Sequence, residues 1–362
     1  MEKNIELISS LGKLAVFLML LFSVFLFTVK SNKKPANQLF ALFLLLTAFD
    51  FTGFFLGHLF SGHPDLKIVK VCSSLLQMPA FYLYVLATCY SDFKLKPKHL
   101  IHTLLFLGFL IVFKLTSISD QRFTLFTITG EIQYYAYIIL IFLSLKNYKA
   151  VYLENYSNDD NGIYRWLFQV TVFFFFAHLF VLAKLGLLYL GQDQSFLQYI
   201  YLAISSVALF TICWFVLKAL YSPQLFTGVK SYLEPIETLT EKKTSIPDKN
   251  TIPNPGTVKL IAYMEQNKPH LDEGLTLQKL AAQVGMPEKE LSILINQQIG
   301  KHFFDFINEY RIREAKILLK DQPHLTVLEI LYRVGFNSKS SFYTAFKKET
   351  GVTPSGYRRS DT

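Results

Sequence analysis

Two hydrophobic rhythms divide this chain. Up to residue 221 the apolar positions come in long, nearly unbroken runs; from residue 257 they recur every third or fourth position in short amphipathic segments. Seven of the long runs, at 8–29, 36–60, 68–90, 99–115, 131–148, 165–190 and 196–218, reach or approach the ~20 mostly apolar residues a helix needs to cross a hydrocarbon core about 30 Å thick. The fourth and fifth are the shortest. The first run has Glu2, Lys3 and Glu6 in front of it, no small-residue cleavage pattern at its end and KSNKKP directly after it, so it reads as a retained span rather than a signal peptide. Residues 1–221 are therefore expected to form a seven-span membrane module.

Between the two rhythms, residues 222–256 carry Pro223, Pro235, Pro247, Pro253 and Pro255 and no sustained apolar period. They read as a linker, reaching roughly 30 Å as a flexible coil. From 257 to 362 the pattern repeats itself. In TLQKLAAQVGM, Leu277, Leu280, Ala281 and Val284 form one helix face, with Thr276 placed as N-cap and Gly285 as the terminating turn. Fifty residues on, TVLEILYRVGF puts Thr326, Val327, Ile330, Leu331, Val334 and Gly335 in the same slots. Beyond the glycines, Leu291, Ile295 and Gly300 answer to Phe342, Phe346 and Gly351 at an offset of fifty-one, so the second turn is one residue longer. Phe342 and Phe346, four apart, read as core. Each copy is helix, glycine turn, helix, the helix-turn-helix arrangement whose second helix lies in a major groove. The amphipathic helix FFDFINEYRIREAKILLK between the copies is long enough to hold them apart, and recognition helices about 34 Å apart enter successive major grooves on one face of B-DNA. The predicted fold class is all-α.

The stretch from about 260 to 359 resembles the DNA-binding domain of the AraC/XylS transcription regulators, on the strength of YRIREAKILL at 310–319 and of GF followed by FYTAFKKETGVTPSGYR. The whole chain resembles a membrane-tethered branch of that family, with a polytopic module in place of a soluble effector domain. The resemblance implies sequence-specific double-stranded DNA as partner, with RNA polymerase and a second copy of the chain as further partners. Carried over by position, base-edge contacts fall on Lys289, Ser292 and Ile293, with Asn296 beside them, in the first copy, and on Lys339, Ser340, Tyr343 and Thr344 in the second. Lys347, Lys348 and Arg358 are phosphate candidates, which position without specifying. The first copy departs from the family pattern: Ile293 stands where a basic or amide side chain is usual, Asn296 and Gln297 replace a Lys pair, and Glu288 and Glu290 make the helix start acidic.

Composition sharpens this division. The 362 residues are 51% hydrophobic and 17% charged, against roughly 25% charged in a soluble domain, which favours the membrane reading of the first part. The net charge of +9 is not concentrated in the C-terminal part, where 15 Lys and Arg oppose 12 Asp and Glu, so any phosphate footprint there is local. Lys and Arg in the alternating loops number nine on one side (Lys30, Lys33, Lys34, Lys94, Lys96, Lys98, Lys146, Lys149, Arg165) and five on the other (Lys3, Lys13, Lys67, Lys70, Arg122). The positive-inside bias then predicts the N-terminus outside and the C-terminal domain in the cytoplasm, in a bacterial inner membrane. Cys72, Cys89 and Cys213 lie in apolar runs without CxxC spacing, so neither a disulfide framework nor a zinc site is signalled. Ionisable groups within the spans, Asp50, His58, His178 and Lys184, are candidates for sensing an unknown small-molecule or lipid-phase signal, and similar depths make Asp50 a candidate partner for His178 or Lys184. No acyl-transfer, kinase or phosphate-loop motif appears, and no enzymatic activity, cofactor or metal is expected. The alternative to a membrane-embedded regulator is a transporter or channel-like protein with a regulatory helical tail.

Overall fold

The computed structural model describes residues 2–29, 34–90, 93–116, 118–157, 162–191, 194–221 and 254–359, which are helical with no strand among them. Most of the expected linker, 222–253, lies outside the described residues. The chain divides into two compact units, Met1–Lys146 with Gly162–Ser231 and Asn147–Asn161 with Tyr232–Thr362.

The first unit consists of α1 (Glu2–Thr28), α2 (Lys34–Phe51), the short α3 (Gly57–Gly62), α4 (Pro64–Ser73), α5 (Gln77–Cys89), α6 (Leu104–Thr116), most of α7 (Asp120–Asn155), α8 (Gly162–Tyr189) and α9 (Gln194–Tyr221). Seven stretches are long and apolar enough to cross a membrane: Asn4–Thr28, Lys34–Phe54, Pro64–Cys89, Pro97–Thr116, Asp120–Asn155, Gly162–Tyr189 and Phe196–Lys218. The structure changes two of the expected boundaries. The second run, expected to continue to 60, ends as a helix near Phe54, and residues 57–62 form a separate turn of helix. The fifth, expected at 131–148, is one helix of 36 residues. Beyond its first residue, Asp120, its charged positions Arg122, Glu131, Lys146, Lys149 and Glu154 punctuate the sequence without interrupting the helix. Inside the unit, aromatic rings interlock: Phe40 lies 4.6 Å from Tyr84 and 5.0 Å from Phe215, and Phe81 lies 5.0 Å from Phe174, centroid to centroid. Its outer surface is apolar as well, with Phe17, Leu21, Ile111, Ile132 and Phe176 all exposed.

The second unit contains α10 (Pro255–Asn267), α11 (Leu277–Val284), α12 (Glu288–Ile293), α13 (Phe303–Asp321), α14 (Val327–Arg333), α15 (Lys339–Thr350) and α16 (Pro354–Arg359). Two cores form, one per repeat. Leu260, Met264, Leu280, Val284, Leu291 and Ile295 close the first around Phe303, Phe306, Ile307 and Tyr310 of α13. Ile330, Leu331, Val334, Phe342 and Phe346 close the second around Ile312, Ala315 and Leu319. The 3.6-residue period turns α13 so that its first half serves one core and its second half the other. Position 311 stands at the changeover.

Candidate functional site

The two repeats build the same scaffold from different caps. Thr276 accepts a hydrogen bond from the backbone N–H of Lys279 at the start of α11, and Gly285, at φ +65°, ends that helix in the left-handed conformation that glycine adopts without strain. In the second repeat Thr326 and Glu329 form a reciprocal capping box at 3.1 and 2.7 Å, and Gly335 turns the chain at φ +87°. The Thr326 backbone N–H, and then its hydroxyl, donate to the Glu329 carboxyl and hold it below the usual carboxylate range. The second turn has one more residue than the first, as the repeat offset requires: Met286 and Pro287 follow Gly285, whereas Phe336, Asn337 and Ser338 follow Gly335.

The helices that follow these turns carry the residues expected to face DNA, and they are unequal. α15 is a full 12-residue helix, capped at its start by Ser338, whose hydroxyl accepts from the Ser341 N–H, and at its end by Gly351. It exposes Lys339, Ser340, Thr344, Lys347 and Lys348, while Tyr343 is half-buried with the Lys339 ammonium 5.6 Å from its ring centre. That cation–π contact orients both side chains. α12 has six residues, begins at Pro287 with no side-chain cap, and passes into a π-helical turn at Leu294–Gln298. Lys289 is exposed, but Ser292, Ile293 and Asn296 are half-covered, and Asn296 donates to the Ser292 carbonyl at 3.0 Å. Two phosphate candidates are less free than the pattern suggested. Lys348 pairs with Asp305 of α13 at 2.7 Å, tying α15 to the connecting helix. Nε and Nη2 of Arg358 are covered and have no partner among the described residues.

The joint between the repeats is the most buried polar feature of this unit. Arg311 is fully buried, and its guanidinium donates to the His270 carbonyl at 2.8 Å (Nε), the Asp272 carbonyl at 2.8 Å (Nη2) and the Asn308 side-chain oxygen at 3.5 Å (Nη1). It also donates to Ser157 of the same unit, at 2.8 Å to the carbonyl (Nη1) and 3.0 Å to the hydroxyl (Nη2). Burial lowers Arg311 to about 10, with the Asp272 and Glu273 carboxylates opposing the shift, so it stays charged at neutral pH. Its guanidinium carbon lies 5.5 Å from the Phe336 ring centre, and Gly335 packs so closely on the 270–271 backbone that a Cβ there would lie 2.7 Å from the His270 carbonyl oxygen. One buried cation thus touches both repeats. Position 311 was legible in the sequence only as part of the YRIREAKILL motif, because its acceptors are backbone oxygens from distant positions.

A family model described as a helix-turn-helix domain matches residues 280–360. The C-terminal region is an AraC-type helix-turn-helix domain. The chain is 33% identical across 100 residues to the HTH-type transcriptional regulator GlxA of Rhizobium meliloti (strain 1021), covering 28% of this chain and 31% of that one. It is 34% identical across 83 residues to the HTH-type transcriptional regulator MtrA of Neisseria gonorrhoeae, covering 23% of this chain and 27% of that one. The matched segment thus spans about a third or less of these relatives' length. Among solved structures, the C-terminal domain of AraT, a response regulator from Geobacillus stearothermophilus, shares 32% identity over 30% of this chain and 88% of that chain, at a TM-score of 0.27.

In the first unit the expected ionisable residues take other partners than those anticipated. Asp50 bonds to Lys70 at 2.9 Å rather than to His178, and His178 pairs with Glu131 at 2.8 Å while the Tyr134 ring stacks on it at 3.6 Å. Lys184 lies within electrostatic reach of both carboxylates, Asp50 and Glu131. His58 is exposed, apart from these pairs. Sequence reasoning missed Glu131 because it stands at the first residue of the expected span, where a carboxylate reads as a loop charge. Lys70 was missed because, two residues into the expected 68–90 run, it was counted among the loop lysines, whereas α4 begins six residues before it at Pro64. Among the described residues no group of three or more His, Cys, Asp or Glu is placed to hold a metal.

Proposed function

We propose that this protein is a membrane-embedded transcription regulator that binds specific promoter DNA through two helix-turn-helix units and is controlled by a signal received in its seven-helix part. The observation that carries the reading is the pair of separately cored repeats on α13, each presenting a helix after a left-handed glycine turn. Two such helices on one rigid connector suit successive major grooves of a duplex. The relatives named as HTH-type transcriptional regulators support DNA as the ligand. Seven apolar helices with outward-facing Phe, Leu and Ile suit hydrocarbon rather than water, since a soluble protein seldom exposes so large an apolar surface. On this reading residues 222–256 are a tether, and the domain from 257 onward works in the bacterial cytoplasm, where a second copy of the chain and RNA polymerase are its further partners.

The sensing element in this proposal is the polar network Asp50–Lys70, Glu131–His178 and Lys184. Charges inside hydrocarbon persist only when paired, and exchanging one partner for a ligand group is a direct way to move helices. His58, exposed and separate, is the weakest member of the set.

The test is fluorescence anisotropy with the full-length chain in nanodiscs and promoter fragments from its own genome. Expected is a preferred duplex that outcompetes random DNA, with affinity falling steeply as salt rises. Equal affinity for every duplex, or none, would favour a transporter or channel-like protein with a regulatory tail.

A further inference from the structure

The buried joint of the AraC-type domain is incomplete without residues far from it in sequence. Five contacts satisfy the Arg311 guanidinium, and two of them go to Ser157, 154 residues away. Ser157 is itself 1% exposed, and its hydroxyl donates to the Leu275 carbonyl at 2.7 Å. Beside it, Tyr156 pairs with Thr276 as an isolated antiparallel bridge, and the Tyr156 ring stacks on Tyr152 at 4.8 Å. One and two turns further back, Leu153 and Lys149 line a cleft of about 610 Å³ whose other walls include Asn296 after α12, Asn308 of α13, and Thr344 and Lys348 of α15. Residues 147–161 belong to the same compact unit as the DNA-binding helices.

We propose that the end of α7 and the turn at Tyr156–Ser157 form an in-chain docking element that completes the joint between the two helix-turn-helix units and sets the spacing at which they read DNA. Arg311 sits where α13 passes from one core to the other, and it bonds the 270–272 backbone of the first repeat while facing Phe336 of the second. Removing Ser157 would leave a buried cation with two donors unmatched, a state that is relieved only by letting the joint open. An open joint no longer holds the two recognition helices at one distance. Residues 120–155 form one uninterrupted helix, so a displacement of that helix reaches the joint without passing through the 222–256 segment. This inference rests on the DNA-binding reading above, and its first measurement is made without DNA so that the two can fail separately.

The full-length chain carrying Tyr156→Cys and Thr276→Cys is oxidised in membranes. Opposed residues of an antiparallel bridge have the Cβ separation a disulfide needs. Expected is a linked peptide by mass spectrometry, absent from a control pair of Tyr156→Cys and Val352→Cys. Absence of the link in the first pair would overturn the docking. DNA binding is then compared on duplexes with the native half-site spacing and with five inserted base pairs. The oxidised protein is expected to bind the native duplex at least as tightly as the same protein reduced, and weaker binding after oxidation would overturn the assignment. Ser157→Lys, which sets a second cation against Arg311, is expected to lose at least about tenfold in affinity for the native duplex and to become indifferent to the insertion. Unchanged affinity and spacing preference in Ser157→Lys would also overturn it; if that variant does not fold, the disulfide pair decides.

Discussion

Gly285 and Gly335 occupy the same slot in the two repeats and share a positive φ, yet their surroundings differ. A Cβ on Gly285 meets nothing nearer than the Lys259 ammonium at 3.8 Å, whereas a Cβ on Gly335 would press on backbone at 2.7, 2.9 and 3.0 Å. Gly285→Ala is therefore expected to cost only the left-handed strain, about 1 kcal/mol, and Gly335→Ala at least about twice that, because the 270–271 backbone must move. Protease resistance of the C-terminal region against urea checks the order, and an equal cost at both sites would deny the close approach. The neighbouring His270 is 3% exposed, and neither ring nitrogen has a partner among the described residues. Burial lowers it to about 4, partly opposed by Glu314. The unfolded chain takes up a proton near pH 6.5 that the folded state refuses until about 4. Stability is therefore full above pH 6.5 and declines as pH falls toward 4, by an amount on the order of 3 kcal/mol, with no further loss below. His270→Phe is expected to flatten this decline in urea midpoints measured between pH 7.5 and 4.5; a slope that persists would place the proton elsewhere.

At the scale of elements, the two helices proposed to read DNA are not equivalent. α15 is capped at both ends and holds Lys339 against Tyr343, so the residues proposed to contact DNA are ordered in advance. α12 is short, uncapped by a side chain and continued by a π turn, and its acidic start repels phosphate. Lys339→Ala or Tyr343→Ala is expected to cost about 1–3 kcal/mol at particular base pairs, while Lys289→Ala discriminates less between base pairs. Selection of bound sequences from a random pool distinguishes these outcomes, and a uniform loss for Lys339→Ala would reduce it to a phosphate contact. Part of this contrast was readable in the sequence, where Ile293 and the flanking glutamates set the first helix apart from the second. The π turn and the Lys348–Asp305 pair were not, since both arise from packing against α10 and α13 rather than from any local period.

At the scale of the molecule, the proposed seven spans and the nine-to-five charge bias require the N-terminus outside. Reporter fusions after residues 61, 117 and 192 are expected to read as external, and an internal signal at any of them would reverse the assignment. The longest apolar helix, α7, is also the one whose end lies within the DNA-binding unit, and it makes the fifth span the natural place to look for transmission.

The sequence by itself determined what depends on local pattern: the all-helical class, seven apolar runs, two helix-glycine-helix repeats with one extra residue in the second turn, and an AraC-type C-terminal region. Apolar run length, a 3.6-residue period and cap residues are properties of neighbours in the chain, and they survive translation into structure. Only the tertiary structure decided which charges meet. Asp50 takes Lys70, His178 takes Glu131, and Arg311 takes Ser157, pairs separated by 20, 47 and 154 positions. No periodicity encodes such partners, because a buried charge is satisfied by whichever oxygen or carboxylate the fold brings within 3 Å, and that is settled by how helices stack.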